Sequence, residues 1–350
     1  MSAMNKLLLL FFLGITGTVF CQVPPYYDPV DLGLTGMALR DELGDHVTST
    51  HTDPTSYSEV WEVLKLSDLD PENASNVLLM YGYNDDDGSV INDRTRDKDA
   101  NGGSPGEWNR EHVFPKSLAE PELGTSGAGA DPHNLRASDV QMNGDRGNRP
   151  FADATGNAGT VGSYWYPGDE WKGDAARIIM YMYIRYEVRC KPVSVAIGST
   201  NAIDPQMVNI LLEWNAEDPV SDHEDDRNNA IYSTIGNRNP FIDNPYFATL
   251  IWGGTVAEDR WGNLSLTTSY QAPQFSVYPN PVENDLLFIA GPLASAHIQL
   301  ISLDGQVIQL HTSSASLNTI ALEVGHLPKG LYILHIQQGY AIETRKICLQ

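Results

Sequence analysis

The stretch Trp108-Asn109-Arg110-Glu111-His112-Val113-Phe114-Pro115 decides how this chain is read. It is followed by Asp131-Pro132-His133-Asn134-Leu135 and then by Asn143-Gly144-Asp145-Arg146-Gly147-Asn148. Glu107 to Phe114 is aromatic enough for a strand, which Pro115 stops. Leu135 to Ala137 can pair with it. Ser138 or Asp139 then caps a short helix carrying Val140, Met142 and Asn143, ended by Gly147 and Pro150. A carboxylate, an imidazole and a carboxamide thus fall within 33 residues, from Glu111 to Asn143, among arginines. This is equipment for cutting a phosphodiester with one divalent metal. Glu111 and Asn143 offer hard oxygen ligands suited to Mg²⁺ or Ca²⁺. His112 can take a proton from water at neutral pH, and arginines can hold phosphate oxygens bidentately. One tension is built in: adjacent residues on a regular strand face opposite ways, so Glu111 and His112 can serve one phosphate only if the strand twists strongly or bulges.

Composition sets the surroundings of this motif. The chain has 350 residues and a formal charge of −23, which is unfavourable for contact with a phosphate polymer. The charge is uneven. Residues 27–104 hold 17 acidic against 5 basic side chains, a net of −12, whereas residues 105–190 hold 12 against 9, a net of −3. The basic residues therefore concentrate around the motif, and any binding of nucleic acid is expected to be weak and strongly salt-sensitive.

At the N-terminus Lys6, the apolar run Leu7 to Val19 and a cleavage site before Gln22 read as a signal peptide over residues 1–21. Thirteen residues are too few to span a bilayer, so no stable membrane insertion is expected. Lipidation at Cys21 is disfavoured because Val-Phe, rather than small residues, precedes it. Cys190 and Cys348 remain, one in each of two expected domains, which is no disulfide framework.

Along the chain, residues 27–80 read as helical, with apolar stretches at Val60 to Leu66 and Val77 to Met80. Residues 84–106 form a polar loop. Within it Asp97-Lys98-Asp99-Ala100-Asn101-Gly102 matches the first half of a calcium loop, but the required Glu would fall at Trp108, so a solvated acidic loop is expected. A stronger helix starts near Asp174, read as its N-cap, with Ala175, Ile178, Ile179, Met182 and Tyr186 on its core face. Arg177, Tyr181, Arg185 and Arg189 step along it by four, either as a solvated or salt-bridged face or as a track for phosphates. More helix follows over residues 206–252. Thr267 to Phe275 is a polar linker. Beyond it, alternating runs flank turns at Asp304-Gly305 and Gln338-Gly339, the pattern of a small β-sandwich.

Asn109 to Ser117, with Asp131 to Leu135, Val140 to Arg146 and Asn148-Arg149-Pro150-Phe151, closely resembles the signature of the bacterial endonuclease I family. Lys172 to Arg177, Glu217 to Asp222 and Gly236 to Asp243 continue the resemblance, which covers residues 27–252. It implies a ββα-metal nuclease core, with His112 as general base and one Mg²⁺ (Mn²⁺ or Ca²⁺ as substitutes) on Glu111 and Asn143. His133 and Asn134 are expected to brace the hairpin or to orient His112. In some relatives an insertion supplies an arginine to the cleaved phosphate; the short segment from Pro115 to Asp131 has no counterpart. Arg146 is taken as the catalytic substitute, with Arg177 and Arg238 as other candidates. The stretch Val277-Tyr278-Pro279-Asn280-Pro281-Val282, with Leu327 to Tyr332 and Arg345-Lys346-Ile347, resembles the type A sorting domain of the type IX secretion system.

The expectation is an α+β chain: signal peptide 1–21, a mostly helical endonuclease I-like domain over 22–265, a linker over 266–275, and an all-β sorting domain over 276–350. It is expected to act as a secreted, monomeric, metal-dependent and largely sequence-nonspecific endonuclease on DNA, with RNA as a further substrate, released outside the cell or held at the outer-membrane surface after passing the type IX machinery. The rival is a surface nucleic-acid-binding or matrix protein that has lost catalysis; an intact Glu111, His112 and Asn143 argue against it, since binding alone needs no such set.

Overall fold

The computed structural model describes residues 23–262 and 264 and, between 275 and 350, all but 283–284, 292–296, 304, 309–310, 317–318 and 339–340. The signal-peptide run, nearly all of the linker, and Asp304 and Gly339 of the two expected turns lie outside them. The architecture is α+β, with eight helices among the described residues.

The first helix, α1 (Gly36–Ser49), buries Leu39, Leu43 and Val47, spaced four apart on one face. It packs on α4 (Lys172–Tyr186), whose residues Gly173 to Ile184 are all buried. A helix buried on every side belongs at the centre of a domain, and α4 is that centre. The two helices touch closely: a Cβ on Gly44 would stand 2.4 Å from the carbonyl oxygen of Ile184, so only glycine fits there.

Around α4 lie α5 (Asn209–Glu217), α6 (Asp222–Ile235), α7 (Pro240–Asp243) and α8 (Tyr246–Trp252). The expected N-cap at Asp174 does not occur. The helix starts two residues earlier, because Asp174 spends its carboxylate on Arg136 at 2.7 Å. Asp218, from the end of α5, instead accepts from the Gly173 N–H at 2.8 Å.

The helical reading of Val77 to Met80 is also overturned. After α2 (Val60–Ser67) the chain forms a three-stranded sheet of β1 (Leu69–Asp70), β2 (Asn73–Leu78) and β3 (Thr95–Asp97), the last lying inside the expected loop. Val77 and Leu79 enter one apolar cluster with Trp108 and Leu135, while Leu78 and Met80 enter the main core. A strand buried on both faces is apolar without interruption, and periodicity cannot tell it from a helix. In the half-calcium loop, Asp99 pairs with Lys65 at 2.9 Å.

The expected strand–strand–helix unit is present. β4 (Trp108–His112) pairs antiparallel with β5 (Leu135–Asp139) in unbroken register, from Trp108 opposite Asp139 to His112 opposite Leu135. Asp139 caps α3 (Val140–Arg146), accepting from Gln141 N at 2.8 Å and Met142 N at 3.0 Å. Gly147 ends the helix at φ +56°, a conformation other residues seldom adopt. Asn134 braces the hairpin from both sides, accepting from Phe114 N at 2.7 Å and donating to Phe114 O at 3.1 Å.

Toward the C-terminus two four-stranded antiparallel sheets enclose a second core. One orders β11 (Val307–Ile308), β10 (His297–Ser302), β14 (Gly330–Gln338) and β15 (Ala341–Leu349). The other orders β12 (His311–Ser316), β13 (Thr319–Glu323), β9 (Leu286–Ala290) and β8 (Ser276–Tyr278). Leu334, Ile336, Ile347 and Leu349 alternate inward, as the sequence pattern demands. Phe275, at the end of the expected linker, is buried in this core. Cys190 and Cys348 are free thiols, and among the described residues no helix is long and apolar enough to cross a membrane.

Asp68 joins these parts of the helical domain. Fully buried at the end of α2, it accepts from Ala137 N of β5 at 2.7 Å, lies 3.5 Å from Arg136, and bonds Arg227 of α6. Asp68→Ala strands the buried Arg227 guanidinium without its counter-charge, leaves Arg136 with Asp174 alone, and should cost about 3–5 kcal/mol. Urea denaturation checks this, and a loss below about 1 kcal/mol, the worth of an exposed pair, would refute it.

Candidate active site

Helix α3 lies against the β4–β5 ribbon, and between them opens a cavity of about 290 Å³. Arg110, Glu111, His112, Lys116, Glu122 and Asn143 are among its lining residues. The two adjacent strand residues and the helix residue singled out by the sequence therefore share one space.

No bulge brings this about, because the strand register is regular. Arg146 ties the end of the strand together. Its guanidinium, 0% exposed, stands 3.3 Å from Glu111 Oε1 and donates to the carbonyls of His112 at 3.2 Å and Val113 at 2.8 Å. Successive carbonyls of an extended strand point in opposite directions, so one guanidinium reaches both only where the chain turns out of the strand.

Glu111 is only 2% exposed. Tyr81 donates its phenol hydrogen to Oε1 at 3.0 Å. Burial pushes the carboxyl up to about 7, against the opposing pull of Arg146 and Tyr81. Tyr81 follows β2 with φ +76°, an unusual backbone for a non-glycine residue.

His112, 8% exposed, places Nε2 2.9 Å from the carbonyl oxygen of Gly129. A carbonyl only accepts, so Nε2 carries the hydrogen and Nδ1 keeps a lone pair. Burial pulls the imidazole down to about 4; the Gly129 carbonyl opposes this, and Lys116, Arg110 and Arg146 reinforce it. The ring stacks on Tyr57, centroid to centroid 5.7 Å. Asn143 donates from Nδ2 to Asn109 Oδ1 at 2.6 Å, which sets its amide orientation and leaves Oδ1 as an acceptor.

The donor chemistry at this cavity, a carboxylate and a carboxamide oxygen, fits a hard divalent cation. Among the described residues no group of three His, Cys, Asp or Glu could hold a metal ion. Two protein oxygens match the way Mg²⁺ is usually bound, since it keeps several waters and shares substrate phosphates.

The other arginines singled out by the sequence lie elsewhere. Arg177 is 0% exposed and grips Glu224 at 2.6 and 2.7 Å. Arg185 pairs with the buried Asp131 at 2.7 Å, where Tyr181 and Tyr186 also donate. Arg189 donates to the carbonyls of Pro121 and Glu122. Of the two readings the salt-bridged one holds, but the pairs are turned into the interior rather than toward solvent, and Arg177 and Arg185 are spent on Glu224 and Asp131. Arg238 is held by Asp243 at 2.6 and 2.7 Å. His133 is buried against Tyr181, with Nε2 3.4 Å from the Asn237 carbonyl oxygen, so His112 is oriented by Gly129 instead.

Tyr81, Tyr57, Asn109 and Gly129 were not singled out by the sequence. Tyr81 and Tyr57 lie far from the motif in the chain and reach it through the fold, so no spacing signals them. Asn109 stands inside the motif, and only the tertiary contact with Asn143 reveals its use.

The strand–strand–helix unit and its cavity define a nuclease of the phosphodiester-hydrolysing type. Residues 35–246 match the model of the Endonuclease I family, and the chain belongs to that family. Residues 276–350 match a secretion system C-terminal sorting domain, so this is a secreted nuclease. An extracellular ribonuclease of Bacillus subtilis (strain 168) is 40% identical over 255 residues, covering 69% of this chain and 83% of that protein. An extracellular ribonuclease of Bacillus amyloliquefaciens is 42% identical over 233 residues, covering 63% of this chain and 75% of that protein.

Because Arg177 neutralises Glu224 inside the domain, Arg177→Ala should act on stability rather than on binding. A loss of about 3–5 kcal/mol is expected in urea denaturation, with an unchanged salt dependence of oligonucleotide binding for the folded fraction. A near-normal stability combined with a flattened salt slope would restore the phosphate-track reading.

Proposed function

We propose that this secreted nuclease is a metal-dependent endonuclease that hydrolyses RNA and DNA with little regard for sequence, with His112 as general base. The observation that carries the reading is that Glu111, His112 and Asn143 line a single cavity, with the His112 tautomer fixed by the Gly129 carbonyl. The relatives described as ribonucleases support RNA as a substrate. The groups around the cavity are suited to phosphate oxygens, which RNA and DNA share.

With its hydrogen on Nε2, His112 accepts a proton from water at Nδ1. The imidazole is neutral above about pH 4, so the base is in its working form at neutral pH. The hydroxide so formed attacks phosphorus, the bond to the 3′ oxygen breaks, that oxygen takes a proton from solvent water to become a 3′-hydroxyl, and the other product carries a 5′-phosphate. Glu111 and Asn143 would hold the cation, Mg²⁺ in this reading, which when bound supplies positive charge to the phosphate and the leaving oxygen. Tyr81 and Arg146 hold the Glu111 carboxylate in place. In this assignment Arg146, being buried, works through Glu111 and the strand carbonyls rather than on the phosphate.

His112→Ala should leave folding intact and lower the cleavage of plasmid and of RNA by about 10²–10⁴. EDTA should abolish wild-type cleavage, and Mg²⁺ or Mn²⁺ should restore it. A variant that cuts at near the wild-type rate sinks the base assignment, and full activity in EDTA sinks the metal.

Glu111→Ala and Asn143→Ala should each raise the Mg²⁺ concentration needed for half-maximal activity. In the wild type, protons compete with the cation for Glu111, whose pKa is raised to about 7. The Mg²⁺ requirement should therefore rise by up to about tenfold per pH unit below 7 and level off above it. A requirement independent of pH between 5.5 and 8 would exclude Glu111 as a ligand.

The helical domain and the β-sandwich each bury a core of their own, and every residue assigned to catalysis precedes 253. Residues 276–350 therefore form a module for export, and the chain without them should keep most of its plasmid-cutting activity. Loss of both activity and cooperative melting on deletion would show that the nuclease needs the sandwich.

A further inference from the structure

The charge of −23 makes the supply of free cations at the cavity the limiting feature for binding a polyanion. Most arginines of the helical domain are committed inward: Arg136 to Asp174, Arg146 to Glu111, Arg177 to Glu224, Arg185 to Asp131, Arg227 to Asp68, and Arg238 to Asp243. Arg110 and Lys116 differ. Both line the cleavage cavity, both are half-buried, and among the described residues neither has a carboxylate partner.

Aromatic rings hold them in place. The Arg110 guanidinium lies 3.6 Å from the Tyr57 ring centroid and 4.1 Å from that of Trp61, and it donates through Nη1 to the Tyr57 carbonyl. The Lys116 ammonium stands 5.6 Å from the same Tyr57 ring, which also stacks on His112. A single phenol ring therefore positions two cations and the base. Ring faces attract a cation without neutralising it, so its net charge remains available to an anion. The Arg110 Nε–H is buried and has no hydrogen-bond partner.

We propose that Arg110 and Lys116, set on the Tyr57 ring, form the phosphate-binding lip of the cavity and hold a backbone phosphate of RNA or DNA beside His112. Tyr57 is then a positioning residue, acting through Arg110. The proposal rests on the nuclease reading of the cavity and adds to it the groups that bind the substrate. Because the contacts fall on phosphate, they are the same for both sugars and for every base sequence.

The test is binding of a fluorescent oligoribonucleotide and of the matching oligodeoxyribonucleotide to the full mature chain in EDTA, from 25 to 200 mM NaCl. Recovery of intact oligonucleotide is followed in parallel, so that cleavage is read separately. Arg110→Ala and Lys116→Ala should each weaken binding about 5- to 20-fold at the lowest salt and flatten the slope of log K against log[salt] by about 0.7, one single-strand phosphate contact. Arg110→Lys should keep the slope and lose affinity, since the charge remains but the planar fork does not. Tyr57→Phe should bind normally, Tyr57→Ala should match Arg110→Ala, and the double variant Tyr57→Ala/Arg110→Ala should be no weaker than either.

If Arg110→Ala melts well below the wild type, Arg110→Gln takes its place. Unchanged affinity and slope in folded Arg110 and Lys116 variants would overturn the lip. Strictly additive losses for Tyr57 and Arg110 would overturn the positioning role. Neither result depends on whether His112→Ala abolishes cleavage, so a failure of the nuclease reading is seen apart from a failure of this one.

Discussion

A chain of buried ion pairs holds the helical domain around its strand–strand–helix unit. Asp68 at the end of α2 meets Arg227 of α6 and Arg136 of β5; Arg136 meets Asp174 of α4; Asp174 lies 4.0 Å from Arg177, which grips Glu224 of α6. Pulling so many charges out of water is costly, and well-packed apolar residues of the same volume could match the stability. What the fold cannot tolerate is one member without its partners. The network therefore constrains arrangement: α2, β5, α4 and α6 can meet in only one way that leaves no charge orphaned. The active-site ribbon is held in that frame through Ala137 and Arg136.

The same logic runs through the site itself. Arg146 gathers the Glu111 carboxylate and the carbonyls of His112 and Val113 at the end of β4. It spends its charge on holding the site's own parts. The cavity's binding charge has to come from cations that no carboxylate has claimed, and Arg110 and Lys116 are the lining residues of that kind. A strongly acidic protein can act on a polyanion when the few cations it leaves free stand at the point of chemistry.

Glu111 and His112 also show how one environment can prepare two groups. Burial favours the neutral form of each, which raises the carboxyl and lowers the imidazole. For His112 the neutral form is the base that the proposed reaction needs. For Glu111 burial works against the carboxylate, and Arg146 and Tyr81 work for it.

Much of this was legible along the chain. The strand, its partner, the capping Asp139 and the terminating Gly147 are local signals, and the C-terminal alternation is local as well. So were the types of group at the site, because Glu111, His112 and Asn143 stand close together in the chain. The errors fell where local pattern has no unique meaning. The strand β2 ends at Leu78 and the chain through Met80 is buried on both sides, so it carries the apolar run of a helix; the arginine stripe read alike as a salt-bridged face or a phosphate track, and only its buried partners decided for the first. The order of residues thus dictated which donors, acceptors and charges were available and where the strands and helices of the motif begin and end. Which charge meets which, and which is left for the substrate, was settled by folding alone. The energy of a charge depends on its distance to others and on the dielectric around it, and both arise only when segments far apart in the chain are packed together.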